Sequence, residues 1–159
     1  MKKQKAEKTN VMRIIEQHKL PYESHDYSRS GAISGMEVVE ALGQEPGRMF
    51  KTLVTQGKSG QYYVFVIPVK EELDLKKAAK VSGEKAISMI KQKELLPLTG
   101  YVHGGCSPIG MKKQFPTFLH ETAILYDTVC VSAGKVGYQI ELKPDDLVSA
   151  SGCRLEDLV

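Results

Sequence analysis

Two short apolar segments stand next to each other near the middle of the chain: MFKTLVT at 49–55 and QYYVFVIP at 61–68, joined by a stretch bounded by Gly57 and Gly60. Runs of this length, rich in β-branched and aromatic residues and closed by turn formers, predict strands, and their adjacency predicts a β-hairpin. The first run does not alternate cleanly. Phe50 and Val54 fall on one side of it, Met49 and Leu53 on the other, so both of its faces meet apolar material. That places the hairpin at the centre of a sheet.

The flanking segments supply the rest. Val11, Ile14, Ile15 and His18 recur at helical spacing behind the possible caps Thr9 and Asn10, and Pro21 ends that helix. The chain is then extended over 22–27. Ser34 and Glu37 form a capping-box pattern ahead of Met36, Val38, Val39 and Leu42, with Gly43 as the stop, and Pro46 and Gly47 mark a turn. Asp74 caps a helix through Ser82 that turns Leu75, Ala78 and Ala79 inward and its lysines outward. A short strand over 86–90, a short helix over 91–96 and an irregular YVHGGCSPIG stretch follow. Strand-like TFLHE, DTVCVSAG and GYQIELK come next, then helical turns over 144–150 and 155–159. This order predicts one α+β domain over 10–159 behind a flexible basic N-terminus at 1–9, with no repeat and no dividing linker.

Composition narrows the class of protein. In 159 residues, 42% apolar and 26% charged, no apolar run approaches bilayer-spanning length. The opening MKKQKAEK is basic but no apolar stretch follows it, so neither a signal peptide nor an anchor is expected, and the protein is expected in the cytoplasm. Cys106, Cys130 and Cys153 are odd in number and contain no CxxC pair, and the four histidines lack metal-ligand spacing. Reduced thiols, no metal and no cofactor are therefore expected. The net charge of +3 is mild. Lys76, Lys77 and Lys80 in one cluster and Lys112 and Lys113 in another have a solvated face as their plain explanation.

Within this frame Lys51 is the most informative charged residue. Burying an ammonium is costly unless it is paired or needed, which makes Lys51 a candidate binder of a carboxylate, a phosphate or a developing oxyanion. An edge-strand lysine reaching water is the competing reading. GGCSPIG at 104–110 offers backbone amides beside small side chains, or a plain tight turn; it matches neither GxGxxG nor a phosphate loop. SAGKVG at 132–137 is a second cradle or a hairpin connection. Cys106 has no assured base beside it and reads as a packing residue. No GxSxG elbow supports Ser107 or Ser132 as nucleophiles, and His25 and His120 read as structural. Asp145 and Asp146 follow Pro144 where capping acids are expected.

Taken together, FKTLV at 50–54, GGCSPIG at 104–110, VSAGKVG at 131–137 and KPDDL at 143–147 resemble the YbaK/EbsC family, over nearly the whole chain from about residue 10. This is a bacterial Cys-tRNA(Pro) deacylase group related to the editing domain inserted in prolyl-tRNA synthetases. The resemblance implies a curved mixed β-sheet surrounded by helices, and a pocket for the acceptor end of an aminoacyl-tRNA. It implies Lys51 as the essential lysine, Gly104, Gly105 and Ser107 as the substrate-binding loop, and Tyr27, Ser132, Gly134 and Asp146 as pocket residues. Family members usually carry an aliphatic residue where Cys106 stands and often a glycine where Ala133 stands. The implied activity is hydrolysis of mischarged Cys-tRNA(Pro), with the substrate's own thiol attacking its ester. The two lysine clusters become candidate contacts to tRNA phosphates, and prolyl-tRNA synthetase a candidate partner. Removal of alanine or another amino acid from tRNA, and a non-catalytic module that binds aminoacyl-tRNA or a synthetase, are the competing functions.

Overall fold

The computed structural model describes residues 8–159. Of the basic N-terminus expected at 1–9, residues 1–7 lie outside the described residues. Thr9 is buried, and its side chain accepts the Met12 N–H at 3.3 Å, capping α1 (Asn10–Gln17).

β2 (Phe50–Gly57) and β3 (Tyr62–Pro68) form the expected hairpin, with Lys51 opposite Ile67 and Val54 opposite Val64. They sit inside a five-stranded sheet of order β4-β2-β3-β5-β8. Its other strands are β4 (Ile87–Met89), β5 (Thr117–His120) and β8 (Arg154–Glu156), the last two added in parallel beside β3. A second, antiparallel sheet of order β1-β7-β6 is built from β1 (Glu23–Asp26), β7 (Tyr138–Leu142) and β6 (Val129–Ser132). A single parallel bridge, Met49 to Cys130, joins the two. The α+β class therefore takes the form of one mixed and one antiparallel sheet, linked by that backbone bridge.

Both faces of the hairpin are covered. Phe50, Val54, Val64 and Val66 share one core with Val11, Met12 and Ile15 of α1 and with Val131, Ile140 and Leu142 of the smaller sheet. Tyr63, Phe65 and Ile67 share another with Ala78, Ile87, Phe118 and Leu158, where Phe65 and Phe118 stack at 5.3 Å. α2 (Gly35–Leu42) carries the complete Ser34–Glu37 capping box and ends at Gly43 in the left-handed region. α3 (Leu75–Ser82) is capped by Asp74, which accepts the N–H groups of Lys76 and Lys77. Leu75, expected to face inward, is exposed: it is the first residue of its helix and leans back toward the N-terminus. α4 (Gln92–Thr99) runs past its predicted end and holds Pro97, and α5 (Pro144–Ser151) starts on its proline. None of these helices is long and apolar enough to cross a membrane.

The last segment departs from the sequence reading. In place of a helical turn, Arg154–Glu156 pairs with Phe118–His120. Leu158 is fully buried, donates its N–H to His120 Nδ1 at 3.1 Å and accepts the Asp74 N–H at 2.8 Å. Here the open edge of β5 and a waiting apolar site outweigh a weak local helical pattern.

The smaller sheet is fastened by a polar cluster. Glu141 accepts hydrogen bonds from Thr128 and, at 3.1 Å, from Arg48, and pairs with His25 Nε2 at 2.7 Å. These contacts, with the Thr128 hydroxyl first, hold its carboxyl below the usual range against the opposing effect of burial. A carboxyl depressed in the folded state stabilises above its unfolded pKa of about 4.3, and the contribution fades as pH falls through the lower folded value. Glu141→Gln is expected to cost about 1–2 kcal/mol at pH 7, a Tm loss of about 3–6 °C for a domain of this size. The gap to the wild type should narrow as pH falls through the lowered pKa of the folded state, where Glu141 itself becomes protonated. A Tm difference in calorimetry that is constant from pH 7 to pH 3 would count against this role.

Candidate functional site

The cavity follows from how the strands part. β6 meets the chain just ahead of β2 at the Met49–Cys130 bridge but pairs with no residue of β2, while β4 covers one edge of β2 only from Thr55 onward. The wedge between holds a cavity of about 400 Å³ whose wall includes Phe50, Lys51, Thr52 and Leu53. Ser132 of β6 lines it from across the wedge, and Tyr27 closes it beyond the end of β1. The start of α2 forms another wall, with Ile33, Ser34, Gly35 and Met36. Gly35 is required there, because a Cβ would fall 2.4 Å from Val69 Cγ1. Leu95 of α4 and His103, Gly104 and Cys106 of the irregular loop complete the lining.

Lys51 answers both of its sequence readings. Its strand lies inside the sheet, yet the edge of β2 beside it carries no partner strand, so the partly buried side chain lines open space. Among the described residues, no hydrogen bond or ion pair to the Lys51 side chain is found and no aspartate or glutamate lines the cavity. An ammonium held among such walls favours anionic or strongly dipolar oxygen.

Tyr27, Gly104 and Ser132 are brought together with Lys51. The Tyr27 phenol is bonded by the Gly137 backbone, and burial pushes its pKa up. Gly105, Ser107, Gly134 and Asp146 are not among the lining residues. Gly105 donates its N–H to Val102 at 3.0 Å, and a Cβ there would sit 2.9 Å from the Val136 nitrogen. It is the close contact between the two glycine loops. Ser107 is fully buried and accepts the Ile109 N–H at 3.3 Å. Gly134 donates its N–H to Ser132 Oγ at 3.1 Å, which fixes that oxygen and leaves the hydroxyl proton to donate. The amides of Gly105 and Gly134 thus brace the loops and are spent. Asp146 lies in the first turn of α5 with its N–H on the Lys143 carbonyl. Lys76, Lys80, Lys112 and Lys113 are exposed. Lys77 is committed to Asp157 at 2.9 Å and to the Val159 carbonyl.

The sequence reading missed the α2 wall, Leu95 and Thr52. The Ser34 cap was legible as a helix start; that this start faces Lys51 depends on contacts distant in sequence.

Burial raises the pKa of Cys106 to about 12, so the cavity's one thiol is protonated at neutral pH. His120 is buried and tied to Leu158, which leaves it structural. His25, Cys130 and Glu141 place three potential metal-binding atoms within 4.8 Å of one another. Arg48 already holds Glu141, and burial raises the Cys130 thiol to about 12. The cluster is thus charge-compensated by a guanidinium.

Three comparisons bear on this geometry. Residues 32–150 match the aminoacyl-tRNA editing domain. EbsC of Enterococcus faecalis, described as a proposed Cys-tRNA(Pro)/Cys-tRNA(Cys) deacylase, is 51% identical over 158 residues, which is 99% of this chain and 96% of that protein. YwhH of Bacillus subtilis, of uncharacterized function, is 29% identical over 111 residues, 70% of each chain. Among solved structures, a proposed trans-editing enzyme for prolyl-tRNA synthetase superposes with a TM-score of 0.79 at 26% identity, covering 94% of this chain and 97% of that one. The hypothetical protein APE2540 reaches a TM-score of 0.85 at 22% identity over 93% and 97%, a likeness of fold alone. The match of residues 32–150 to the family model and the identity to EbsC over nearly the full length of both proteins show that the chain belongs to the aminoacyl-tRNA editing domain family.

Proposed function

We propose that the chain hydrolyses the ester bond of mischarged aminoacyl-tRNA, with cysteine on tRNA(Pro) as its substrate. Lys51 carries this reading: among the described residues it is a cation with no side-chain partner in a cavity lined by no carboxylate, in a chain 51% identical to EbsC. In this reading Lys51 holds and polarises the acceptor end, and Ser132 and the Gly104 loop contact the aminoacyl group. Tyr27 packs beside it. Gly105, Ser107 and Gly134 act by shaping the loops, and Asp146 acts from α5 outside the cavity lining.

No enzyme nucleophile is needed. The substrate cysteine's sulfur attacks its own ester carbonyl, the C–S bond forms as the bond to the tRNA 3′ oxygen breaks, and the thiol proton passes to that leaving oxygen. Water then opens the four-membered thiolactone to free cysteine. Holding thiol and carbonyl in one conformer supplies several kcal/mol of the barrier through proximity alone. The Cys106 thiol, protonated at neutral pH, is no competitor for the carbonyl. The exposed lysines 76, 80, 112 and 113 contact tRNA phosphates; Lys77, anchored to the C-terminal segment, contributes less. Prolyl-tRNA synthetase is the partner that supplies tRNA choice, and the protein works in the cytoplasm where charged tRNA is used.

Incubation with Cys-tRNA(Pro), Ala-tRNA(Pro) and Pro-tRNA(Pro) tests this. Rapid loss of cysteine alone is expected, with Lys51→Ala lowering kcat/KM by about 10²–10³-fold, the size expected for removing one electrostatic contact at the reacting carbonyl. Loss of alanine would shift the substrate, and binding without turnover in the wild type would leave a recognition module. Cys106→Val keeps the cavity's shape and should change cysteine release by less than about tenfold. A Cys106→Val enzyme as inactive as Lys51→Ala would overturn the substrate-thiol mechanism.

A further inference from the structure

The edge of β2 that forms the cavity wall is an incomplete ladder. On its other side β2 pairs with β3 from Phe50 to Gln56, and Met49 receives the Val69 N–H on its carbonyl. Backbone groups alternate in direction along a strand, so those of Met49, Lys51 and Leu53 face β3 and those of Phe50, Thr52 and Val54 face the other edge. Val54 fits this alternation, because its carbonyl accepts the Ile90 N–H from the chain just beyond β4. At the opposite end of the same edge lies the Met49–Cys130 bridge to β6. Thr52 is between these two attachments, where no strand lies against β2, and it lines the cavity. Its N–H and C=O therefore point into the wedge. Its hydroxyl oxygen is also buried without a hydrogen-bond partner. This short stretch of strand is unsatisfied in both backbone and side chain.

We propose that the aminoacyl group of the substrate completes this ladder as a one-residue strand, with its α-amine donating to the Thr52 carbonyl and its ester carbonyl accepting the Thr52 N–H. The inference rests on the cavity's being the aminoacyl site. Two opposed residues in an antiparallel hydrogen-bonded pair exchange both of their backbone bonds, and an aminoacyl ester carries the same two groups, amine and carbonyl, on one α-carbon. Addition to an open sheet edge is a general mode of peptide recognition, in which the main chain gives affinity and the side chain enters a pocket. The walls agree with this polarity. Among the described residues no carboxylate lines the cavity to receive the amine; the Thr52 carbonyl takes that role, and Lys51, next along the strand, is left for the oxygens of the ester and the terminal ribose. Backbone recognition is the same for every L-amino acid, so this contact orients the substrate without choosing its side chain.

The test compares two non-hydrolysable probes by titration calorimetry: 3′-deoxyadenosine bearing a 3′-amide-linked cysteine, and its counterpart bearing 3-mercaptopropionate, which lacks only the α-amine. The wild type is expected to bind the second about tenfold more weakly. Thr52→Pro removes an N–H that serves no strand, a substitution that sheet edges tolerate, and should weaken the cysteinyl probe about tenfold. If that variant does not fold, the probe pair decides alone. Equal affinity for the two probes would overturn the Thr52 ladder and leave the proposed function standing; failure to bind either would overturn both.

Discussion

The Met49–Cys130 bridge is the contact on which the rest depends. Among the described residues it is the one backbone bridge between a five-stranded and a three-stranded sheet. A continuous ladder between β2 and β6 would have closed the wedge and left Lys51 facing a neighbouring strand. One bridge is enough to fix the angle, because the buried surroundings are shared. Met49 and Cys130 lie in one apolar cluster with Tyr27, Val38, Val39 and Val69. Gln139 is fully buried and exchanges hydrogen bonds with Gln44, and it also donates to the Met49 sulfur. Apolar burial supplies the attraction, and the amide pair supplies the register.

The hairpin at the centre then performs two tasks with one sequence. Its apolar residues on both faces bind two separate cores, which holds the strand rigid, and its half-covered outer edge presents Lys51 and Thr52 to the cavity. Groups carried on a strand packed on both sides are held more closely than groups on a loop. The glycine-rich loop is secured differently. Gly105 presses against the backbone at Lys135 and Val136, so each loop limits the movement of the other, and Gly104 is held at the cavity by that contact.

How far the sequence foretold this follows a physical line. Caps and stops were legible because they are local: Ser34 with Glu37, Asp74, Gly43 and Gly83 each act within a few residues of themselves. The hairpin was legible because its two runs are adjacent. β8 was not, since nothing within residues 154–159 records the free edge of β5, whose paired residues lie 36 positions earlier, or the His120 nitrogen that takes the Leu158 N–H. The same distinction runs through the site. Lys51 stood out as a charge in an apolar strand, and the family resemblance directed attention to the glycine loops. That the amides of Gly105 and Gly134 are already spent inside the protein could be learned only from the folded loops. The open edge at Thr52 is a negative feature, a missing neighbour, and no local pattern encodes it.

The dimensions of the cavity bear on how one amino acid could be singled out. About 400 Å³ is ample room for the side chain of cysteine, alanine or proline beside a ribose, so exclusion by size has little purchase. Even in a close-fitting apolar pocket, a single methylene is worth only about 1–3 kcal/mol of discrimination. Discrimination by reaction avoids that limit. If the attacking sulfur belongs to the substrate, esters that lack it can occupy the same walls and the same lysine and remain intact, and the enzyme needs no pocket that recognises cysteine. A partly buried, protonated Cys106 suits this arrangement, because a reactive protein thiol in the cavity would attack every ester alike and erase the distinction.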